Sequence, residues 1–204
     1  MTRIILVRHG QTEWNREERF RGQEDIPLNE TGRQQARRVA YRLKNDPITA
    51  IYASPLRRSI QTAEIIAASR DLDVQIDDAF LDIHYGTWAG LSPAEVAARD
   101  AEMYRLWLTA PHLAHPPKGE CLEDVRARVL RGIERIVLRY PRATVVVVGH
   151  QVVNKVLLCA VLGLDGSAFW RIRQDNACIN IFIVENSTYE VVCLNDTCHL
   201  QEKL

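Results

Sequence analysis

Arg8-His9-Gly10-Gln11-Thr12 follows directly on the β-branched run Arg3 to Val7. Arginine offers a planar fork that fits phosphate or carboxylate, histidine a nucleophilic or basic nitrogen, and glycine a backbone that lets a ligand come close. At the carboxyl end of a strand in an open α/β sheet, such a triplet stands where ligands bind. Alone it reads equally well as a strand-end histidine bonded to backbone. Three further stretches fall where a strand ends or a turn opens: Ser54-Pro55-Leu56-Arg57-Arg58-Ser59-Ile60-Gln61-Thr62-Ala63, Leu81-Asp82-Ile83-His84-Tyr85-Gly86-Thr87-Trp88-Ala89-Gly90, and Val148-Gly149-His150.

Residues so far apart in sequence need a scaffold that gathers strand ends. Arg3 to Val7, Ile48 to Ala53 and Thr144 to Val148 share the unbroken apolar texture of strands buried on both faces, which predicts central parallel strands. Helical patterns lie between them. Glu30 to Leu43 follows the cap candidate Asn29, and Leu56 to Ala68 starts after Ser54-Pro55. Ser92 to Glu95 reads as a capping box, an aromatic helical stretch follows around Met103 to Leu108, and Pro111 to Pro117 is a Pro- and His-rich loop. Glu120 to Tyr140 is amphipathic, with Val125, Val129, Ile133 and Ile136 on one stripe and Pro141 as its stop. Val152 to Leu162 reads as one more helix, and Cys178 to Glu185 and Tyr189 to Leu194 as a hairpin around Asn186-Ser187. The expectation is a single domain over 1–204, an α/β sheet with helices on its faces and a small helical insertion at about 91–119.

Composition bounds the partners. Lys plus Arg equal Asp plus Glu at 26 each, so no general attraction to nucleic acid or anionic membrane is expected, and an anion site must be built locally. No apolar run approaches the roughly 20 residues that span a bilayer, and no signal-peptide pattern precedes the first strand, which predicts a cytoplasmic protein. The five scattered cysteines predict reduced thiols. His112 and His115 could pair on a metal, but structural zinc sites take about four ligands and the sequence offers only Glu120 nearby, so neither metal nor cofactor is expected.

Together with Trp14-Asn15, Arg19-Phe20, Gly22-Gln23 and Pro27-Leu28-Asn29-Glu30-Thr31-Gly32, the four stretches resemble the histidine phosphatase superfamily, also called phosphoglycerate mutase-like, in order and over essentially the whole chain. The resemblance implies a three-layer α/β/α sandwich with a mostly parallel central sheet. It implies that His9 accepts the phosphoryl group, that Arg8, Arg58 and His150 complete the phosphate pocket, and that Asn15, Gly22, Gln23 and Gln151 contact phosphate or substrate. The cationic neighbours, a protonated His150 among them, should keep His9 neutral, with its second nitrogen bonded to a carbonyl such as that of Gly10. Asp82 stands where many relatives carry Glu and is the candidate acid for the leaving oxygen.

The chain lacks the larger middle insertion of the mutases, so the resemblance favours hydrolysis of a small phosphorylated substrate. Ala110-Pro111-His112, Asp175-Asn176-Ala177 and the stretch Leu194 to Leu200 look like the metal-independent phosphoserine phosphatases, which suggests that His199 reaches a substrate carboxylate. Tyr85 replaces the histidine those enzymes carry, unless His84 substitutes for it. A broad-specificity or α-ribazole-type phosphatase is the alternative, and a non-catalytic phospho-ligand module is disfavoured by the intact set of site residues. Apolar positions on the terminal hairpin leave room for a homodimer.

Overall fold

A computed structural model describes residues 1–201 of the chain. Its strands are β1 (Thr2–Arg8), β2 (Ile48–Ala53), β3 (Val74–Ile76), β4 (Thr144–Gly149), β5 (Ile179–Glu185) and β6 (Thr188–Asp196). They form one sheet in the order β3-β2-β4-β1-β5-β6. The first four in that order run parallel, while β5 and β6 are antiparallel additions beside β1. β4 buries every side chain and β1 nearly every one, as unbroken β-branched runs demand when helices cover both faces.

Alternation along the strands divides the core in two. Ile4, Leu6, Tyr52, Val145, Val147 and Phe182 face α6 (Leu122–Arg139) and α7 (Gln151–Val161), whose stripe of Val125, Val129, Ile133 and Ile136 lies in the same cluster. Ile5, Val7, Ile51, Ala53, Val146 and Val148 face α2 (Glu30–Arg42) and α3 (Arg57–Ala67) through Val39, Leu43, Ala63 and Ile66. The three layers expected from the sequence are therefore present.

Local chemistry sets the ends of these elements. Asn29 accepts the Gly32 N–H at 2.8 Å and starts α2. Ser92 and Glu95 form the expected capping box of α4 (Pro93–Arg99), which leads into α5 (Ala101–Thr109). These two helices send Val96 and Trp107 into the α6–α7 side of the core. At the hairpin tip, Asn186 and Ser187 both have positive φ, 48° and 63°, as a two-residue turn between twisted strands requires.

The sequence reading differs from the structure in a few places. It lacks the edge strand β3 and the one-turn helix α1 (Glu13–Arg16), and it starts α6 at Glu120, which instead pairs with Arg128 at 2.8 Å ahead of the helix. All five cysteines are free. Among the described residues no helix is long and apolar enough to cross a membrane.

Candidate active site

Parallel pairing of β1 with β4 sets Arg8 opposite Gly149, so the residues that follow, His9 and His150, leave the sheet side by side. Their ring centroids are 5.1 Å apart at 59°. The His9 N–H continues the ladder by donating to the Gly149 carbonyl at 3.0 Å. β2 flanks β4 on the other side, and Ser54, just past its end, accepts from His150 Nε2 at 2.8 Å through Oγ. In the first turn of α3, Arg58 donates from Nε to His150 Nδ1 at 3.2 Å. Three strand ends and one helix start thus converge, as expected for an open α/β sheet.

His9 Nδ1 lies 2.7 Å from the Gly10 carbonyl, so it carries the proton and donates it, leaving Nε2 with a free lone pair. Burial, followed by the charges of Arg58, Arg8 and Arg21, holds this imidazole well below the ordinary histidine range, which keeps it neutral and nucleophilic. The expectation of a protonated His150 is corrected. Its Nδ1 accepts from Arg58 and its Nε2 donates to Ser54, which describes a neutral ring, and burial with the Arg58 charge also holds it well below the ordinary range. His150 therefore orients Arg58 rather than adding a charge of its own.

Arg58 is fully buried and spreads its remaining donors over the Gly22 carbonyl at 2.7 Å, the Glu24 carbonyl at 2.6 Å and Asp82 Oδ2 at 3.4 Å. Arg8 donates to the Gln174 carbonyl at 2.5 Å, and burial lowers its pKa to about 10. Asp82 is 5 % exposed, with Oδ1 accepting from the Ile83 N–H at 3.0 Å. Burial raises its pKa against the opposing pull of Arg58, so this carboxyl is inclined to hold a proton, as a general acid must.

Close backbone approach shapes the floor. A Cβ on Gly10 would meet the Gly32 carbonyl oxygen at 2.4 Å, and one on Gly32 would meet the Gln11 carbonyl at 2.1 Å, so the loop after β1 packs directly on the first turn of α2. Above it opens a cavity of about 580 Å³. Arg8, Gln11, Asn15, Arg21, Gln151 and Asn176 supply polar lining together with Glu18 and Arg19, and Phe20, Tyr104, Trp107 and Trp170 an aromatic wall. Asn15 Oδ1 caps α1 through the Thr12 N–H at 2.9 Å, which orients the Asn15 amide at the cavity edge.

Of the expected site residues, Arg8, His9, Arg58, Asp82 and His150 meet, with Asn15 and Gln151 on the cavity lining. Gly22 and Gln23 serve as supports: Gly22 gives its carbonyl to Arg58, and Gln23 Nε2 donates to the Asp82 carbonyl at 3.1 Å. Tyr85 is buried, with its ring 4.9 Å from Phe20 and 5.7 Å from Trp107, so it braces the aromatic wall. His84 is a correction. Its backbone and ring are bonded to Glu120 and Lys118 on the exterior, because neighbours in an extended segment point opposite ways, so it does not stand in for the replaced histidine. His199 is another: it is buried with Nε2 3.0 Å from the Ala177 carbonyl, supporting the loop whose Asn176 reaches the His9 carbonyl rather than lining the cavity itself. The sequence reading missed Arg21, which sits between the motif pairs Arg19-Phe20 and Gly22-Gln23, and did not single out Gln11 or Asn176, both inside quoted stretches, as site residues. Among the described residues no three His, Cys, Asp or Glu side chains gather as a metal-binding group.

Comparison with known proteins places this site in a family. The model of the histidine phosphatase superfamily (branch 1) matches residues 4–197. Phosphoserine phosphatase 1 of Hydrogenobacter thermophilus is 38% identical over 202 residues, covering 99% of this chain and 96% of its own. The structure of Bacillus stearothermophilus YhfR superposes with a TM-score of 0.95 at 35% identity, covering 98% of this chain and 100% of that one. A phosphoserine phosphatase mutant from Entamoeba histolytica in complex with phosphoserine superposes at 0.89 with 28% identity, again over 98% and 100% of the two chains. On sequence, fold and near-complete coverage, the chain belongs to the histidine phosphatase superfamily (branch 1).

Proposed function

We propose that this phosphoric monoester hydrolase moves the phosphoryl group of a small phosphorylated metabolite first to Nε2 of His9 and then to water, with no metal cofactor. The observation that carries the reading is the 2.7 Å bond from His9 Nδ1 to the Gly10 carbonyl, which fixes the tautomer and frees Nε2 beside two guanidiniums. Arg8 and Arg58 stabilise charge on the transferring oxygens, and His150 holds Arg58 in place. In the first step an N–P bond forms as the P–O bond to the alcohol breaks, and Asp82 gives its proton to the leaving oxygen. In the second, the Asp82 carboxylate takes a proton from water as the water oxygen displaces His9 from phosphorus, releasing phosphate.

Phosphoserine is the first substrate to test, because the Hydrogenobacter thermophilus relative is named for it and the Entamoeba histolytica structure holds it. A second reading, broad specificity, is favoured by the size of the cavity and its wall of Phe20, Tyr104, Trp107 and Trp170, which offer room and apolar surface to leaving groups bulkier than serine. Acid quench of the enzyme with ³²P-labelled phosphoester tests the common mechanism. Acid-labile label is expected on the protein and should vanish in His9→Ala; no label on wild type, or label surviving that substitution, rejects it.

A further inference from the structure

Arg21 lines the cavity and is a cation that the proposed phosphoryl transfer does not use. Its only side-chain hydrogen bond among the described residues runs from one terminal nitrogen to the Trp14 carbonyl at 3.0 Å, and its Nε is buried without a partner. Among the described residues no carboxylate forms an ion pair with it. Two residues earlier Arg19 is treated differently, pairing with Glu17 at 2.9 Å and approaching Glu95 at 4.0 Å. An arginine on a charged surface loop ordinarily finds such a partner or projects into water, whereas Arg21 turns into the cavity that it lines with Arg8 and Gln11.

Its loop is built rigidly. Arg58 ties down the carbonyls of Gly22 and Glu24, and Gln23 is bonded to the Asp82 carbonyl. Gly22 takes a positive φ of 48°, and a Cβ there would meet the Ile83 carbonyl oxygen at 2.7 Å, so the backbone after Arg21 lies flat against the segment that carries Asp82. Arg21 is thereby fixed on the side of the pocket where the leaving group must lie, since Asp82 donates to that group. Its charge acts on His9, Arg58, Asp82 and His150 alike.

Charge complementarity then specifies the ligand. With both histidines neutral and Asp82 protonated for catalysis, Arg8, Arg21 and Arg58 present three positive charges, Arg19 and the exposed Glu18 add one charge of each sign to the cavity lining, and a phosphomonoester dianion balances only two of the three. We infer that Arg21 is a specificity-determining residue that binds a carboxylate on the substrate's leaving group, so that this site is built for phosphorylated carboxylic acids. The inference rests on the phosphatase reading above and narrows its substrate class. A guanidinium suits the task because it meets a carboxylate with two parallel N–H bonds.

Phosphoserine and O-phosphoethanolamine, which differ by the carboxylate alone, test the assignment, with p-nitrophenyl phosphate as a third substrate. Wild type should prefer phosphoserine over phosphoethanolamine. Arg21→Gln should lower kcat/KM for phosphoserine by roughly 10- to 100-fold, mainly through KM, as expected on losing a charged hydrogen-bonded pair. The loss shared by the other two substrates should be several-fold smaller, and Arg21→Lys should recover part of the preference. Equal losses on all three substrates would assign Arg21 to the phosphate and overturn the inference. A wild type that hydrolyses p-nitrophenyl phosphate but shows no preference between the amino compounds also overturns it while leaving the reaction intact; failure to form acid-labile phosphoenzyme from any of them would sink the underlying reading instead.

Discussion

Two histidines 5.1 Å apart, centroid to centroid, are made different by what each ring bonds. The proton of His9 is tied to a backbone carbonyl, so its outer nitrogen is free; both nitrogens of His150 are engaged by Arg58 and Ser54, so it cannot compete as nucleophile. Asp82 is the third partner, and its burial raises its pKa, which favours the protonated form that the proposed acid needs. Because protonation matters only when the departing alkoxide is basic, Asp82→Asn should depress kcat on an alkyl phosphate by roughly 10²- to 10⁴-fold but far less on p-nitrophenyl phosphate. Steady-state kinetics across a series of leaving groups would show this as a steeper dependence on leaving-group basicity, and a parallel loss on all of them would remove Asp82 from proton transfer. At this scale His9, Arg8, Arg58 and Asp82, which the family resemblance singled out for the proposed roles, are brought together by the structure. Arg21 was not legible in the sequence, because an arginine among Arg16, Glu17, Glu18 and Arg19 looks solvated until coordinates show which of them lacks a carboxylate. Nor could spacing say that His84 and His199 face away from the cavity, since side-chain direction in irregular segments depends on the path of the chain.

Among the elements, α6 matters to chemistry although none of its residues reaches the cavity. Arg128 on this helix donates to the carbonyls of Ala79 at 3.0 Å, Leu81 at 2.6 Å and Asp82 at 3.2 Å, and is held by Glu120 through two bonds of 2.8 and 3.0 Å. It is a strut between the helix and the loop bearing the acid. Arg128→Lys keeps the charge and loses the fork, so the Asp82 loop should loosen. The expected outcome is a fall of roughly 10-fold in kcat on an alkyl phosphate with KM little changed, since small displacements of a positioned group are costly to rate. A KM effect without a kcat effect would contradict a positioning role. Elements with strong signals were readable in advance: β1, β2 and β4 by continuous apolar runs, α6 by its stripe, and the hairpin by two β-rich runs flanking Asn186-Ser187. β3 escaped because three half-exposed residues at a sheet edge carry no periodicity, and α1 because a single turn held by the Thr12 and Asn15 side chains is a cap more than a helix.

Taken whole, the molecule balances 26 positive against 26 negative side chains, so its net charge imposes little pH dependence on folding near neutrality and the buried site groups can be seen against that background. The folded-state pKa values of His9 and His150 are depressed below the unfolded value near 6.5, so beneath that pH the unfolded chain takes up protons that the folded one refuses. Stability from these two groups is complete above that pH and is lost as pH falls. Asp82 works in the other direction: its folded pKa is raised, so its contribution is present below the unfolded value near 3.9 and is lost as pH rises through the folded one. On the two histidines the melting temperature should fall between pH 7 and pH 5, each adding a slope of up to about 1.4 kcal/mol per pH unit. His150→Gln removes one of the two groups and should flatten the decline in this window. Melting curves of wild type and His150→Gln at pH 7, 6 and 5 suffice, and a wild type equally stable throughout, or a His150→Gln variant with an unchanged slope, would mean that the His150 imidazole is not held neutral by the burial and hydrogen bonds described.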